Sequence, residues 1–147
     1  MKIFILIFTF FLQNAISQDN YKFTVMGNNL KNSNIKLPDK SIFNMFESKG
    51  AFTDNQGNIG DFAGQGVRKT NNKGVLINVN ALIIFKIDNK SSMWAFPTRV
   101  ESDLEVGAGY FDVFFASGNL KELFGKRCRY GLTVTKENSF VMQGFCK

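Results

Sequence analysis

The chain has 147 residues, a formal net charge of +6 and no histidine. The lack of histidine excludes Ser-His-Asp and Cys-His nucleophilic sites, histidine general bases and imidazole metal ligands. The lysines and arginines are scattered and form no basic stripe interleaved with stacking aromatic residues, so we expect no nucleic-acid partner.

The first residues have the pattern of a signal peptide. Lys2 supplies a positive charge, residues 3–12 are apolar apart from Thr9, and Ala15 and Ser17 have the spacing that signal peptidase reads. An apolar run of about ten residues is too short to span a bilayer, which takes about 20. We predict a signal peptide over 1–17, a secreted or periplasmic protein, and no transmembrane segment in the mature chain.

Residues 18–147 are predicted to form a single all-β domain. Segments rich in β-branched and aromatic residues alternate with turn signals made of Gly, Asn and Asp. Together with a terminal hairpin, they predict strands at 21–26, 41–47, 59–68, 74–87, 91–99, 104–116, 126–135 and 139–146. About eight antiparallel strands of this length suit a small β-barrel, which has no exposed edges. A two-sheet β-sandwich is the alternative.

Two of these segments carry further expectations. The polar stretch 28–40, in which Pro38 holds Leu37 extended, is expected to be a long connection that caps the barrel mouth or lies loose on the surface. In the fourth predicted strand, alternate residues are apolar or small and are expected to share the buried face. They are Val75, Ile77, Val79, Ala81, Ile83, Phe85 and Ile87.

The terminal hairpin is the most specific local prediction. The loop Lys136-Glu137-Asn138 ends in Asn, which tolerates the left-handed conformation that such loops need. This loop places Cys128 opposite Cys146, and the same register puts apolar residues of both strands on one shared face. Because the spacing is not C-x-x-C, we predict a structural disulfide between the two cysteines and not a redox-active pair.

Part of the chain resembles a known group of barrels. The sequence A-L-I-I-F-K-I-D-N-K-S-S-M-W from Ala81 to Trp94 is similar to a hairpin of exported bacterial proteins with an allene oxide cyclase-like or calycin-like barrel. Gly107-Ala108-Gly109-Tyr110-Phe111 and the turn 118–125, followed by Cys128 and Tyr130, resemble that group's glycine-rich strand and short turn. The resemblance covers roughly the last seventy residues and rests on glycine and turn placement. It implies a small up-and-down barrel and no catalytic residue.

Carboxylates are the remaining candidates for metal binding or catalysis. Glu101, Asp103 and Glu105 alternate, so in an extended segment they project to one side, where they suit Ca²⁺ or simply a solvated edge. They lack the loop carbonyls and the turn glycine of calcium loops, so no metal site is predicted. A P-loop, a Rossmann fingerprint and an H-E-x-x-H helix are absent from the sequence, and we therefore predict no cofactor.

The 17 phenylalanines are the unusual feature of the composition. In the segment 104–116, Phe111, Val113 and Phe115 lie on one face of the strand, and Tyr110 and Phe114 lie on the other. The inner face is expected to pack in the core, because small barrels fill their interior with side chains. The outer face must lie against a partner, a membrane or a covering loop.

If the barrel also holds a cavity, aromatic residues are expected to form its walls and an arginine to anchor a carboxylate head group. The predicted ligand-binding residues are Arg68, Phe85, Trp94, Arg99, Tyr110 and Phe111. The favoured function is a non-enzymatic binding module for a small apolar ligand such as a lipid. The alternative is a barrel that binds a protein partner in an envelope or secreted assembly. A third hypothesis is that the protein is a histidine-free enzyme that modifies lipids.

Overall fold

Eight antiparallel strands close into a barrel in the computed structural model, which describes residues 20–99, 106–135 and 138–147. The strands are β1 (Tyr21–Lys36), β2 (Ile42–Asp54), β3 (Ile59–Thr70), β4 (Leu76–Lys86), β5 (Ser92–Thr98), β6 (Val106–Ala116), β7 (Arg127–Val134) and β8 (Ser139–Cys146). Each strand pairs with its neighbours in the sequence, and β1 closes the barrel against β8. The predicted all-β barrel is confirmed, and the sandwich alternative is wrong.

Several sequence predictions concern residues outside the described part of the chain. They are the signal peptide over 1–17, the carboxylates Glu101, Asp103 and Glu105, the start of the sixth predicted strand at 104–105, and Lys136 and Glu137 of the terminal loop. In the residues that the structure describes, no helix is long and apolar enough to cross a bilayer.

The first hairpin is longer than its sequence suggests. β1 and β2 stay paired as far as Lys36 and Ile42, so the predicted long connection over 28–40 is wrong and the turn between the strands is short. A register shift between Asn29 and Lys31 accommodates one extra residue. The polar stretch remains a strand because its backbone groups bond to β2, and pairing of this kind overrides low intrinsic strand propensity.

The two ends of the barrel differ. The lower end, where β1 begins, is covered by a 3₁₀ helix (Gly118–Leu123) whose Leu120 and Leu123 are buried. The disulfide Cys128–Cys146 lies at the same end and joins β7 to β8 in the predicted register. At the upper end, Asn138 has the expected positive φ of 60°. The structure thus confirms the hairpin register and the disulfide.

Aromatic rings fill the lower half of the barrel. Phe85 is fully buried, and its ring lies 5.1 to 6.0 Å, between centroids, from the rings of Phe23, Phe52, Phe62 and Phe111. Ring contacts at such separations add about 0.5–1.5 kcal/mol each to the effect of burial. These rings form an aromatic layer that separates the lower end from the upper half.

Interior glycines make room for the rings. In each case the glycine is the direct cross-strand partner of the aromatic residue, and a Cβ on the glycine would collide with the ring. The pairs are Phe23 with Gly144, Phe52 with Gly60, Phe140 with Gly27, and Tyr130 with Gly109. Glycines at these strand positions therefore allow close packing against an aromatic neighbour.

In two strands, a register shift changes which residues point into the barrel. A shift opposite Lys69 and Thr70 turns Leu76 into the interior, so Val75 and Ile77 are exposed, although Ala81, Ile83 and Phe85 are buried as predicted. On the other side of the barrel, a shift between Trp94 and Ala95 gives β6 one extra residue. As a result, Phe115 faces outward and not inward with Phe111 and Val113.

We predict that Gly144→Ala lowers the free energy of unfolding by about 1–3 kcal/mol, because overpacking a filled core has a cost of this size. The new methyl group would meet the Phe23 ring and the Arg129 carbonyl. Urea denaturation of the oxidised protein measures the effect. The matched control is Gly131→Ala in the same hairpin, where an added Cβ has nothing within 4 Å. Equal destabilisation by both substitutions would contradict the packing argument.

Candidate functional site: the upper cavity

A partly open cavity of about 100 Å³ occupies the upper half of the barrel. Phe62 of the aromatic layer and Phe140 both line it, with 5.8 Å between their ring centroids. Its remaining apolar lining comes from Phe46, Leu76, Val79, Ala81, Ile83, Pro97, Leu132, Val134 and Met142. Its polar lining is Asn29, Ser48, Arg68, Arg99 and Tyr130.

The cavity borders the upper parts of β4 and β5. In the described residues, the hydrogen-bonded ladder between these strands runs from Lys86 and Ser92 to Ile83 and Ala95. Val79 and Ala81 line the cavity from β4, and Pro97 of β5 and the following Arg99 also line it.

Arg68 brings a positive charge to the cavity from the upper part of β3. Its Nη2 donates a long hydrogen bond of 3.4 Å to Oδ1 of Asn32, and its guanidinium carbon lies 5.4 Å from the centre of the Phe46 ring. Among the described residues, no carboxylate lies within ion-pair distance of Arg68. Burial, and next the charge of Arg99, lower the pKa of Arg68.

Arg99 is 5% exposed and directly follows β5. Its guanidinium passes over Gly107 of β6, where an added Cβ would collide with it. Gly107 is thus one of the positions where the absence of a side chain is required, since any other residue would displace the arginine. The fold brings the two arginines near each other in one small, largely apolar space.

Two hydroxyl groups complete the polar lining. The Ser48 hydroxyl donates to the Gly64 carbonyl at 3.3 Å. Tyr130 is 7% exposed, and its ring and hydroxyl pack over Gly109. Burial raises the pKa of Tyr130 to about 12, although the charge of Arg99 acts in the opposite direction. The Tyr130 hydroxyl is therefore a neutral group at physiological pH.

The structure separates the predicted ligand-binding residues into three groups. Arg68 and Arg99 line the cavity. Phe85 and Phe111 are 0% exposed and belong to the aromatic layer, so they are core residues and do not line the cavity. Trp94 and Tyr110 are directed away from the cavity, which corrects their prediction as wall residues. Tyr110 is next to Phe111, and Trp94 is next to Ala95; both of these neighbours are buried. Because successive strand residues face opposite sides of a sheet, Tyr110 and Trp94 face outward.

Sequence reasoning missed the contribution of the terminal hairpin. Tyr130, Leu132, Phe140 and Met142 all line the cavity. The register that aligned the two cysteines already placed these four side chains on the shared apolar face. What the sequence did not show is that this face continues above the aromatic layer, where it borders open space.

The outer surface carries a separate aromatic cluster. Phe96 stacks on Phe114 with 4.5 Å between ring centroids, and Trp94 meets Phe115 edge-on at 6.4 Å. All four side chains are exposed. Beside this outer aromatic cluster, Arg127 forms a bidentate pair with Asp112 at 2.6 and 2.8 Å. This hydrogen bonding lowers the pKa of Asp112.

The cavity suits binding of a small molecule that has an apolar body and an anionic group. Across the described ranges, no group of three Asp, Glu or Cys residues is placed to hold a metal ion. A scan of protein families finds no match for this chain, and searches of curated proteins and of solved structures also find none. The resemblance to allene oxide cyclase-like barrels stays a prediction.

We predict that the protein loses stability above pH 10 in part because Tyr130 must ionise in a buried site. The folded-state pKa lies above the ordinary value of 10.0, so this contribution is complete below pH 10 and is lost as the pH rises toward about 12. A shift of this size corresponds to about 1–3 kcal/mol. Urea midpoints at neutral and strongly alkaline pH measure the loss.

Tyr130→Phe keeps the ring and removes the titrating hydroxyl. The free energy of unfolding of this variant should therefore fall less than that of the unsubstituted protein over the same pH range. The difference between the two proteins at neutral pH corrects for packing effects. An identical alkaline loss in both proteins would show that Tyr130 does not contribute.

Proposed function

We propose that this protein is a non-enzymatic binding module that holds a small amphiphilic carboxylate in the upper cavity. The observation that carries the proposal is the position of Arg68, a partly desolvated cation in a cavity whose other lining is mostly apolar. A carboxylate suits a guanidinium because two parallel charge-assisted hydrogen bonds can form. The apolar body of the ligand would then contact Phe62, Ile83 and Met142.

Electrostatics favour an anion at this site. Burial, and next repulsion by the charge of Arg99, disfavour the charged form of Arg68 and lower its pKa. A bound carboxylate offsets both the repulsion and the lost hydration of Arg68. A neutral ligand of the same shape would offset neither. We therefore propose that the charge, and not only the apolar contact, determines which molecules bind.

The size of the cavity limits the ligand. Pockets for drug-sized molecules have volumes of about 300–1,000 Å³, and an apolar cavity of about 150 Å³ holds a molecule such as benzene. At about 100 Å³, this cavity is smaller than both, so in its present conformation it accommodates only a short acyl segment. A longer chain would have to extend through the barrel mouth.

We also propose that the protein is exported, with residues 1–17 as its signal peptide. The disulfide Cys128–Cys146 supports this, because such bonds persist in oxidising compartments. Binding is preferred to catalysis because the chain has no histidine and both of its cysteines are in the disulfide. These are the groups that most often act as general bases and nucleophiles.

A second candidate function is recognition of a protein partner through the outer aromatic cluster. Its support is the exposure of Trp94, Phe96, Phe114 and Phe115 on the adjacent strands β5 and β6. Exposed apolar patches that are contiguous often mark interaction sites. This function would leave ligand binding in the upper cavity unaffected, because the cluster lies on the other face of the sheet.

Calorimetric titration with hexanoate tests the first proposal. We expect saturable binding with one site, much weaker binding of 1-hexanol, and a loss of about 10- to 100-fold in affinity for Arg68→Gln, since a hydrogen bond to a charged group contributes about 1.5–3 kcal/mol. Arg129→Gln is the matched control, because it removes the same charge from an exposed residue outside the cavity. Equal losses in the two variants, or binding of hexanol as tight as that of hexanoate, would refute the proposal.

A further inference from the structure

The outer aromatic cluster has a further exposed ring beside it. The four side chains of the cluster are 37% to 52% exposed, although all of them are large and apolar. Phe124, which follows the 3₁₀ helix, is 65% exposed. The next residue, Gly125, donates its amide hydrogen to the Val113 carbonyl of β6 at 2.9 Å, which holds this segment against β6. Five exposed rings are therefore present on or directly beside β5 and β6.

The strands that carry and border the cluster have few charges, and most of these are positive. From β5 to β8, the charged residues within the strands are Asp112, Arg127 and Arg129. Asp112 is neutralised by its bidentate pair with Arg127. Lys126 lies immediately before β7, and Lys147 lies immediately after β8. Among the described residues, no Asp or Glu lies within ion-pair distance of Lys126, Arg129 or Lys147.

The rings and the cations share the outer face of the barrel wall. Phe96, Asp112 and Arg127 are direct partners on adjacent strands, so the cluster borders the cations of β7. In a neighbouring row, Arg129 of β7 pairs with Phe145 of β8. The wall from β5 to β8 thus presents a set of exposed rings with a basic border.

This combination complements the surface of a membrane that contains acidic lipids. Exposed aromatic side chains are favoured at the boundary between lipid headgroups and acyl chains. Lysines and arginines near that boundary are attracted to anionic headgroups. A protein partner would have to supply a pocket for each ring and a carboxylate for each cation, whereas a lipid surface supplies both along its whole extent.

We infer that the outer wall from β5 to β8 docks on a membrane that contains acidic phospholipids. The five rings enter the headgroup level, and Lys126, Arg129 and Lys147 contact lipid phosphates. The net charge of +6 attracts the protein to such a surface from a longer distance. Docking assigns a lipid surface to the cluster in place of the protein partner of the second candidate function. It does not depend on ligand binding in the upper cavity.

Co-sedimentation of the oxidised mature chain, residues 18–147, with sucrose-loaded vesicles tests the inference. We expect saturable binding to an equimolar mixture of phosphatidylcholine and phosphatidylglycerol, and much weaker binding to phosphatidylcholine alone. Trp94→Ser with Phe96→Ser should weaken binding to the mixed vesicles about tenfold or more, because apolar area no longer enters the lipid. Met45→Ser with Ile59→Ser is the matched control. It removes exposed apolar side chains from β2 and β3 and should leave binding unchanged.

The contribution of the cations is measured in the same assay. Lys126→Gln with Arg129→Gln should weaken binding to the mixed vesicles about fivefold or more and reduce its sensitivity to salt. Lys36→Gln with Lys73→Gln removes the same charge from exposed residues elsewhere and should have a much smaller effect. Circular dichroism of each variant checks that the barrel is intact.

Trp94 is the only tryptophan in the chain, so its fluorescence reports directly on the contact. On the mixed vesicles, its emission should shift to shorter wavelength, because the indole leaves water. Brominated phosphatidylcholine included in the vesicles should quench this emission.

Three results would overturn the inference. The first is vesicle binding that the ring substitutions leave intact, which is the behaviour of attraction by net charge alone. The second is vesicle binding during which the Trp94 emission does not change. The third is no binding to the mixed vesicles, including the case in which the ring substitutions instead abolish self-association or the capture of a protein partner.

Discussion

The interior of this barrel depends on the pairing of large rings with glycines on the next strand. An eight-stranded barrel is only wide enough for side chains to fill it, so each inward aromatic ring needs space from a neighbour. Phe23 gains that space over Gly144 and Phe52 over Gly60, in both cases from the direct cross-strand partner. A dense aromatic layer results, and it occupies the lower half of the barrel above the 3₁₀ helix.

The candidate site is where this filling stops. Above the aromatic layer, the inward positions of β3 and of the chain after β5 carry Arg68 and Arg99, and Gly107 makes space for a guanidinium and not for a ring. The cavity and its positive charge are therefore consequences of one change in the interior, from inward aromatic rings to inward arginines.

The sequence was informative where chemistry constrains the register locally. The terminal hairpin is an example, since loop length, face polarity and the placement of Cys128 opposite Cys146 all indicate the register that the structure has. The polar extension of β1 was missed because its stability comes from pairing with β2, which leaves no local signal. Tyr110 cannot share a face with its neighbour Phe111, and Trp94 faces outward because the next residue, Ala95, is buried. Phe115 faces outward because of a register shift that the sequence does not mark.

The central claim is that Arg68 recognises the anionic group of a small ligand inside the barrel. The most direct measurement is NMR of the side-chain Nε–Hε groups of ¹⁵N-labelled protein during titration with hexanoate and, separately, with 1-hexanol. The account predicts that hexanoate shifts the Arg68 signal saturably, while hexanol leaves it nearly unchanged and the exposed Arg129 signal responds to neither. A saturating hexanoate titration in which the Arg68 signal does not move would contradict it.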